Sequence, residues 1–360
     1  MKVYPLPMVP GPVSVPDEIR EVYRVNYGSA DLETEFGDLY LRTTELIARI
    51  LKTRHRVVIH TGEAMLALWA ALKSCLLPGD RVLSIASGVF GHGIADMGKA
   101  IGADVNIIEI PYNETLKDFD KIAKAIEAHR PKMITAVHCE TPSGTLNPIA
   151  SLGQLKEDYK VPLLYVDAVA SIAGAPVEVD KWSIDLCLGG SQKCFSVPPE
   201  MTFLSVSAQA WETIAQIAYV GYDALQPFHA VHETRYFPYT PNWHGVAALH
   251  AGAERILKEG LDTCFGRHAE VAEYCRQRIV AMGLSLFPAV DAIFAPTVTA
   301  VNIPAGIKWS DLDQRFRNHG LVVGGSYGPM AEKVFRLGHM GSQANKELVE
   351  AACDIIAKEI

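Results

Sequence analysis

From about residue 55 to 207 the chain repeats one pattern, a short apolar β-rich run followed by a stretch with helical spacing. The runs are Val57–His60, Arg81–Ala86, Val105–Ile110, Met133–His138, Pro162–Val166, Leu186–Leu188 and Thr202–Ser207. Between them lie segments such as Leu116–His129, where Phe119, Ile122, Ala123 and Ile126 recur on one helical face. Strands that are apolar throughout need cover on both faces. The pattern therefore predicts an α/β fold with a mostly parallel seven-stranded sheet between layers of helices. Ligands of such sheets bind beyond the carboxyl ends of the strands, where His60, Ala86, His138, Asp167 and Gly189 fall.

After Ser207 the pattern changes. Residues 208–219 and 244–282 are expected to be helical, the second as one long run opening at His244. From about residue 283 the order is strand (Thr297–Asn302), helix (Ser310–Asn318), two strands (Leu321–Gly324 and Lys333–Leu337) and helix (Asn345–Lys358). That succession predicts a small C-terminal α+β domain. The N-terminal segment, with Pro10-Gly11-Pro12, is expected to run extended over a surface. The expected division is an extended segment 1–20, a large domain 21–260 and a small domain 261–360.

Two features narrow the chemistry. Asp167 ends the run Pro162–Val166, and Lys193 follows the run that ends at Gly189. Two buried strands would deliver a carboxylate and an amine to the same end of one sheet. That pair suits pyridoxal chemistry: the amine forms a Schiff base with an aldehyde, and the carboxylate keeps a pyridine nitrogen protonated. Gly88-Val89-Phe90-Gly91-His92-Gly93 lacks the spacing of a dinucleotide fingerprint, and no G-x-S-x-G elbow or H-E-x-x-H helix is present. The glycines around Phe90 instead suggest a ligand-facing loop.

Composition excludes several other classes. No apolar run approaches the roughly 20 residues that span a bilayer, and Met1–Pro7 is too broken by proline for a signal peptide. A net charge of −8 without a basic block argues against a nucleic-acid partner. The seven cysteines are odd in number and lack C-x-x-C spacing. They are expected to be reduced, buried thiols of a cytoplasmic protein, with no metal site.

Motifs along nearly the whole chain then match a known family. They are Pro10-Gly11-Pro12, Ser87–Gly91, His138–Thr145, Asp167-Ala168-Val169, Ser191-Gln192-Lys193, Tyr239-Thr240-Pro241 and Arg336–Gly341. In this order they resemble the class V aminotransferases of pyridoxal fold type I, the family of alanine–glyoxylate and serine–glyoxylate aminotransferases. The resemblance implies a homodimer or homotetramer acting on small-molecule substrates. It also implies roles. Lys193 would carry the Schiff base and shuttle the proton, and Asp167 would pair with the pyridine nitrogen. Phe90 and Val169 would cover the two faces of the ring, with Thr141 and Gln192 on its substituents. Arg336 would clamp the substrate carboxylate through its guanidinium fork.

The family's cradle for the phosphate of pyridoxal 5'-phosphate is a small-residue helix opening. Here that place reads Gly62-Glu63-Ala64-Met65, with a carboxylate where the anion would sit. A tyrosine of the partner subunit, three residues before the Thr-Pro pair, also holds the phosphate in the family, beside Thr240. In this chain it is Phe237, which has no hydroxyl. Both changes resemble the pyridoxamine–pyruvate branch, which takes unphosphorylated pyridoxamine as a substrate, as do Pro111–Glu114 and Pro296–Val301. One departure is Tyr327, where that branch carries a second arginine nine residues before the one matched by Arg336.

The expected activity is therefore amino transfer from pyridoxamine to pyruvate, giving pyridoxal and L-alanine. The alternatives are a pyridoxal phosphate-dependent alanine or serine aminotransferase using glyoxylate or pyruvate, a class V lyase, or a non-catalytic binding protein.

Overall fold

The computed structural model describes residues 4–360. Its main sheet has seven strands in the order Arg56–Thr61, Met201–Val206, Leu186–Gly190, Leu163–Asp167, Met133–Val137, Arg81–Ala86 and Asp104–Glu109. Met201–Val206 runs antiparallel to both neighbours, and all other pairings are parallel. The three central strands Met133–Val137, Leu163–Asp167 and Leu186–Gly190 are buried at every residue. This is why their sequences are apolar throughout instead of alternating.

Helices Thr34–Ile50, Met65–Cys75, Val89–Ile101, Phe119–His129, Ile149–Asp158 and Ala208–Ile217 accompany this sheet. The Gly88–Gly93 stretch, expected to be a loop, is the first turn of Val89–Ile101. Three internal glycines (91, 93 and 98) hide that helix from a propensity reading, since each costs about 1 kcal/mol relative to alanine. Tertiary packing overrides them.

The expected single helix over 244–282 is two, Trp243–Glu259 and Leu261–Ala281. Gly260, at φ +87° and ψ 134°, ends the first and begins the second. Glycine takes a positive φ without the steric cost that other residues meet there.

A second, four-stranded sheet has the order Leu6–Met8, Leu321–Gly325, Val334–Gly338 and Val298–Asn302. Helices Trp309–Asn318 and Lys346–Glu359 pack beside it, and Phe316, Phe335, Leu337 and Ile356 are fully buried in its own hydrophobic cluster. The N-terminal segment does more than lie over a surface. Leu6–Met8 is a parallel edge strand of this sheet, in register with Leu321–Val323. The chain then crosses to the main sheet, where the Val13 amide donates to the Gln192 carbonyl at 3.1 Å. No helix among the described residues is long and apolar enough to cross a membrane.

Candidate active site

The carboxyl ends of the parallel strands open into a cavity beside Lys193. Nine residues expected from the sequence line it: Glu63, Ala64, Met65, Phe90, Thr141, Asp167, Val169, Gln192 and Lys193. Leu68, Cys139 and Ala170 complete the wall. A larger open groove of about 990 Å³ lies at the opposite, amino end of the strands, by Arg81, Asp104 and Lys132. Within it Lys132 pairs with Asp80 at 2.7 Å, and it holds none of the expected site residues.

Asp167 is the last residue of its strand and is 6% exposed. Burial pushes its carboxyl up to about 6, against the opposing pull of the Val169 amide, which donates at 3.0 Å, and of Lys193. A protonated pyridine nitrogen would supply the positive charge that this buried carboxylate lacks.

Lys193 follows the neighbouring strand. Burial is the main force that lowers its pKa, and the nearby Arg336 cation adds to it; both favour the neutral, nucleophilic amine. Its Nζ donates to the Pro10 carbonyl at 2.7 Å. That contact requires Gly11, at φ +90°, because a Cβ there would stand 2.5 Å from Nζ. The Pro10-Gly11-Pro12 motif is thus part of the site, a role the sequence reading of a surface strap missed. Gln343, fully buried, pins this segment: its Nε2 donates to the Val9 carbonyl at 2.9 Å, and its Oε1 accepts from the Ser14 amide at 3.0 Å.

Glu63 precedes helix Met65–Cys75, which has no other side-chain cap. Its Oε2 accepts from the Met65 amide at 2.9 Å, and its Oε1 accepts from Gln192 Nε2 at 2.6 Å. The carboxylate therefore satisfies one helix-opening N–H, the kind of donor that binds anions at such termini. The other Gln192 atom, Oε1, is buried and has no partner. Of the oxygens gathered here, Gln192 Oε1 is thus the acceptor that lacks a donor.

Arg336 lies on the small sheet and is 2% exposed. Its Nε donates to the Gly325 carbonyl at 2.8 Å, and its guanidinium carbon lies 4.7 Å from the Tyr327 ring centroid. Burial lowers its pKa, and Tyr327 counters this. Tyr327 itself is 54% exposed. Neither residue lines the cavity wall, but Arg336 acts electrostatically on Lys193. Gly324 brings the two regions together, since a Cβ there would lie 3.0 Å from Pro10 Cδ and 3.2 Å from Arg336 Nη2.

The chain does not bring Phe237 or Thr240 into its own cavity. Phe237 packs among aromatic rings, 5.1 Å from Phe36 and 4.9 Å from Tyr40 by centroids. Thr240 is exposed, and its hydroxyl donates to Asp31 at 3.4 Å.

The residues fit a pyridoxal ring: an amine, a carboxylate, and Phe90 and Val169 in the walls. They fit its phosphate poorly, because Glu63 already occupies a helix-opening amide. The family model for "Aminotransferase class-V" matches residues 10–334. An L-aspartate–glyoxylate aminotransferase of Paracoccus denitrificans is 31% identical, over 93% of this chain and 86% of that protein. The pyridoxamine–pyruvate transaminase of Mesorhizobium japonicum is 33% identical, over 93% of this chain and 86% of that protein. The crystal structure of pyridoxamine–pyruvate aminotransferase from Mesorhizobium loti superposes with a TM-score of 0.94 at 31% identity, covering 99% of this chain and 92% of that one. With its motifs, its fold and its relatives in agreement, this chain belongs to the class V aminotransferases, of pyridoxal fold type I.

Proposed function

We propose that the protein transfers an amino group from unphosphorylated pyridoxamine to a small 2-oxo acid such as pyruvate, releasing pyridoxal and L-alanine. One observation carries this choice within the family: the Glu63 carboxylate spans the Met65 amide and Gln192 Nε2. A phosphate dianion brings only acceptor oxygens to that place, and it would face a carboxylate. The 5'-hydroxymethyl group of pyridoxamine brings an O–H, which Glu63 or the unpartnered Gln192 Oε1 accepts.

In this proposal the vitamer is a substrate that enters and leaves in each cycle. Its ring supplies an electron sink while bound. Asp167 holds the ring nitrogen protonated. Lys193, whose pKa burial and Arg336 lower, would condense with the aldehyde with release of water and would carry the proton between that carbon and the amino-acid α-carbon. Phe90 and Val169 hold the ring plane from its two faces. Arg336 takes the carboxylate of the oxo acid, and Tyr327 covers the guanidinium. The molecule is proposed to work as a homodimer or homotetramer, with Phe237 and Thr240 facing the neighbour's cavity.

A second reading is a pyridoxal phosphate-dependent alanine or serine aminotransferase acting on glyoxylate or pyruvate; the L-aspartate–glyoxylate relative supports its glyoxylate acceptor. An absorbance assay of the purified protein with pyruvate and either pyridoxamine or its phosphate separates the two. Pyridoxal formed from the free vitamer alone supports the proposal. Turnover only of amino acids with added pyridoxal phosphate refutes it.

A further inference from the structure

Phe90 is placed by a residue outside the cavity wall. The helix Val89–Ile101 opens at Gly88, which has no side chain with which to cap it. Its first amides would be left without partners. Glu140 fills the gap from another part of the chain: Oε2 accepts from the Phe90 amide at 3.2 Å and Oε1 from the Gly91 amide at 2.7 Å.

The fit depends on the two glycines that flank Val89 and Phe90. A Cβ at Gly88 would stand 2.5 Å from Glu140 Cδ, and one at Gly91 would stand 2.9 Å from the Ala86 Cα. Glu140 is itself held firmly. It lies in the hairpin Cys139–Glu140 with Thr145–Leu146, and its carbonyl accepts from the Gly144 amide at 2.9 Å. Its neighbours Cys139 and Thr141 both line the cavity. The side chain is 0% exposed. Burial pushes its carboxyl up to about 7, with the Gly91 and Phe90 amides pulling down and Asp167 pushing up. A cap at position 88 would close the helix without burying a charge. Glu140 does something such a cap would not: it ties the helix start to the hairpin that bears Thr141.

We propose that Glu140 is the positioning residue for Phe90: its carboxylate, seated on the Phe90 and Gly91 amides, fixes the aromatic ring against the bound pyridine ring. The proposal rests on the reading that this cavity takes a pyridoxal-type ring. Glu140 is not part of the cavity wall, so the proposal requires its effect on the bound ring to pass through Phe90.

A double-mutant cycle tests this. Glu140→Gln, Phe90→Ala and the double variant are titrated with pyridoxal and with pyridoxal phosphate, following visible absorbance and circular dichroism. Glu140→Gln keeps the shape but can accept from only one amide. It is expected to weaken binding about tenfold and to reduce the dichroic band of the bound ring. In the Phe90→Ala background the same change is expected to cost less than about twofold, because the group it positions is gone. Equal losses in both backgrounds, or no loss in either, overturn the proposal. Gly88→Ala, which pushes on Glu140 from the other side, is expected to reproduce the effect and serves if Glu140→Gln does not fold. Binding of the phosphate alone defeats the unphosphorylated-vitamer reading but leaves the cycle measurable with the phosphate. Binding of neither ring defeats both.

Discussion

The sharpest prediction concerns Glu63→Ser. In the wild type the carboxylate sits 2.9 Å from the Met65 amide and 2.6 Å from Gln192 Nε2, so a phosphate seated there must either displace it or face it. Two unit charges about 4 Å apart repel by about 4 kcal/mol at an effective dielectric near 20, and by about 1 kcal/mol in bulk water. Glu63 is exposed, so the water end of that range is the safer guide. A phosphate of roughly −1.5 to −2 charges then loses about 2 kcal/mol, or about 30-fold in affinity. Serine removes the charge and frees the amide. Glu63→Ser is therefore expected to tighten pyridoxal phosphate binding by at least about 30-fold while weakening pyridoxal. Absorbance titration of both vitamers against wild type and variant measures the ratio. An unchanged ratio would refute the proposed role and leave Glu63 as an ordinary helix-start carboxylate.

Lys193→Ala is expected to abolish covalent capture of pyridoxal and transamination; substantial remaining turnover would sink the assignment. Tyr327→Arg adds a second cation beside Arg336 and is expected to lower KM for the oxo acid with little change in kcat; a raised KM would show that the tyrosine itself serves the carboxylate. Asp167 gives a pH test on the empty enzyme. Its folded pKa is raised from 3.8 to about 6, so the native state binds the proton more tightly than the unfolded state. The stability it contributes is greatest below 3.8 and is lost as pH rises through 6, a change on the order of 3 kcal/mol. Urea unfolding at pH 4.5 and 7.5 should show the wild type losing stability relative to Asp167→Asn as pH rises; the opposite slope would contradict a desolvated carboxyl. Phe237→Tyr, added to Glu63→Ser, is expected to strengthen phosphate binding further only in the assembled oligomer, which titration above and below the dissociation concentration would reveal.

The apolar runs by themselves determined the main sheet. A strand covered on both faces must be apolar at every position, so Leu163–Asp167 and Leu186–Gly190 were legible, and with them Asp167 and Lys193 at one end of the sheet. Motif order extended this to Phe90, Thr141, Val169 and Gln192, all of which line the cavity. Local signals failed where distant contacts decide. The helix Val89–Ile101 has a glycine-rich opening that looks like a loop until Glu140, about 50 residues away, caps it. The break at Gly260 lay hidden in an otherwise continuous helical run. Glu63 meets Gln192 from 129 positions away, and the Pro10 carbonyl likewise meets the distant Lys193. Hydrophobic periodicity is a property of neighbouring residues and can be read in order. Hydrogen bonds such as Lys193 to Pro10, 183 positions apart, exist only after two sheets have packed and brought their loops together.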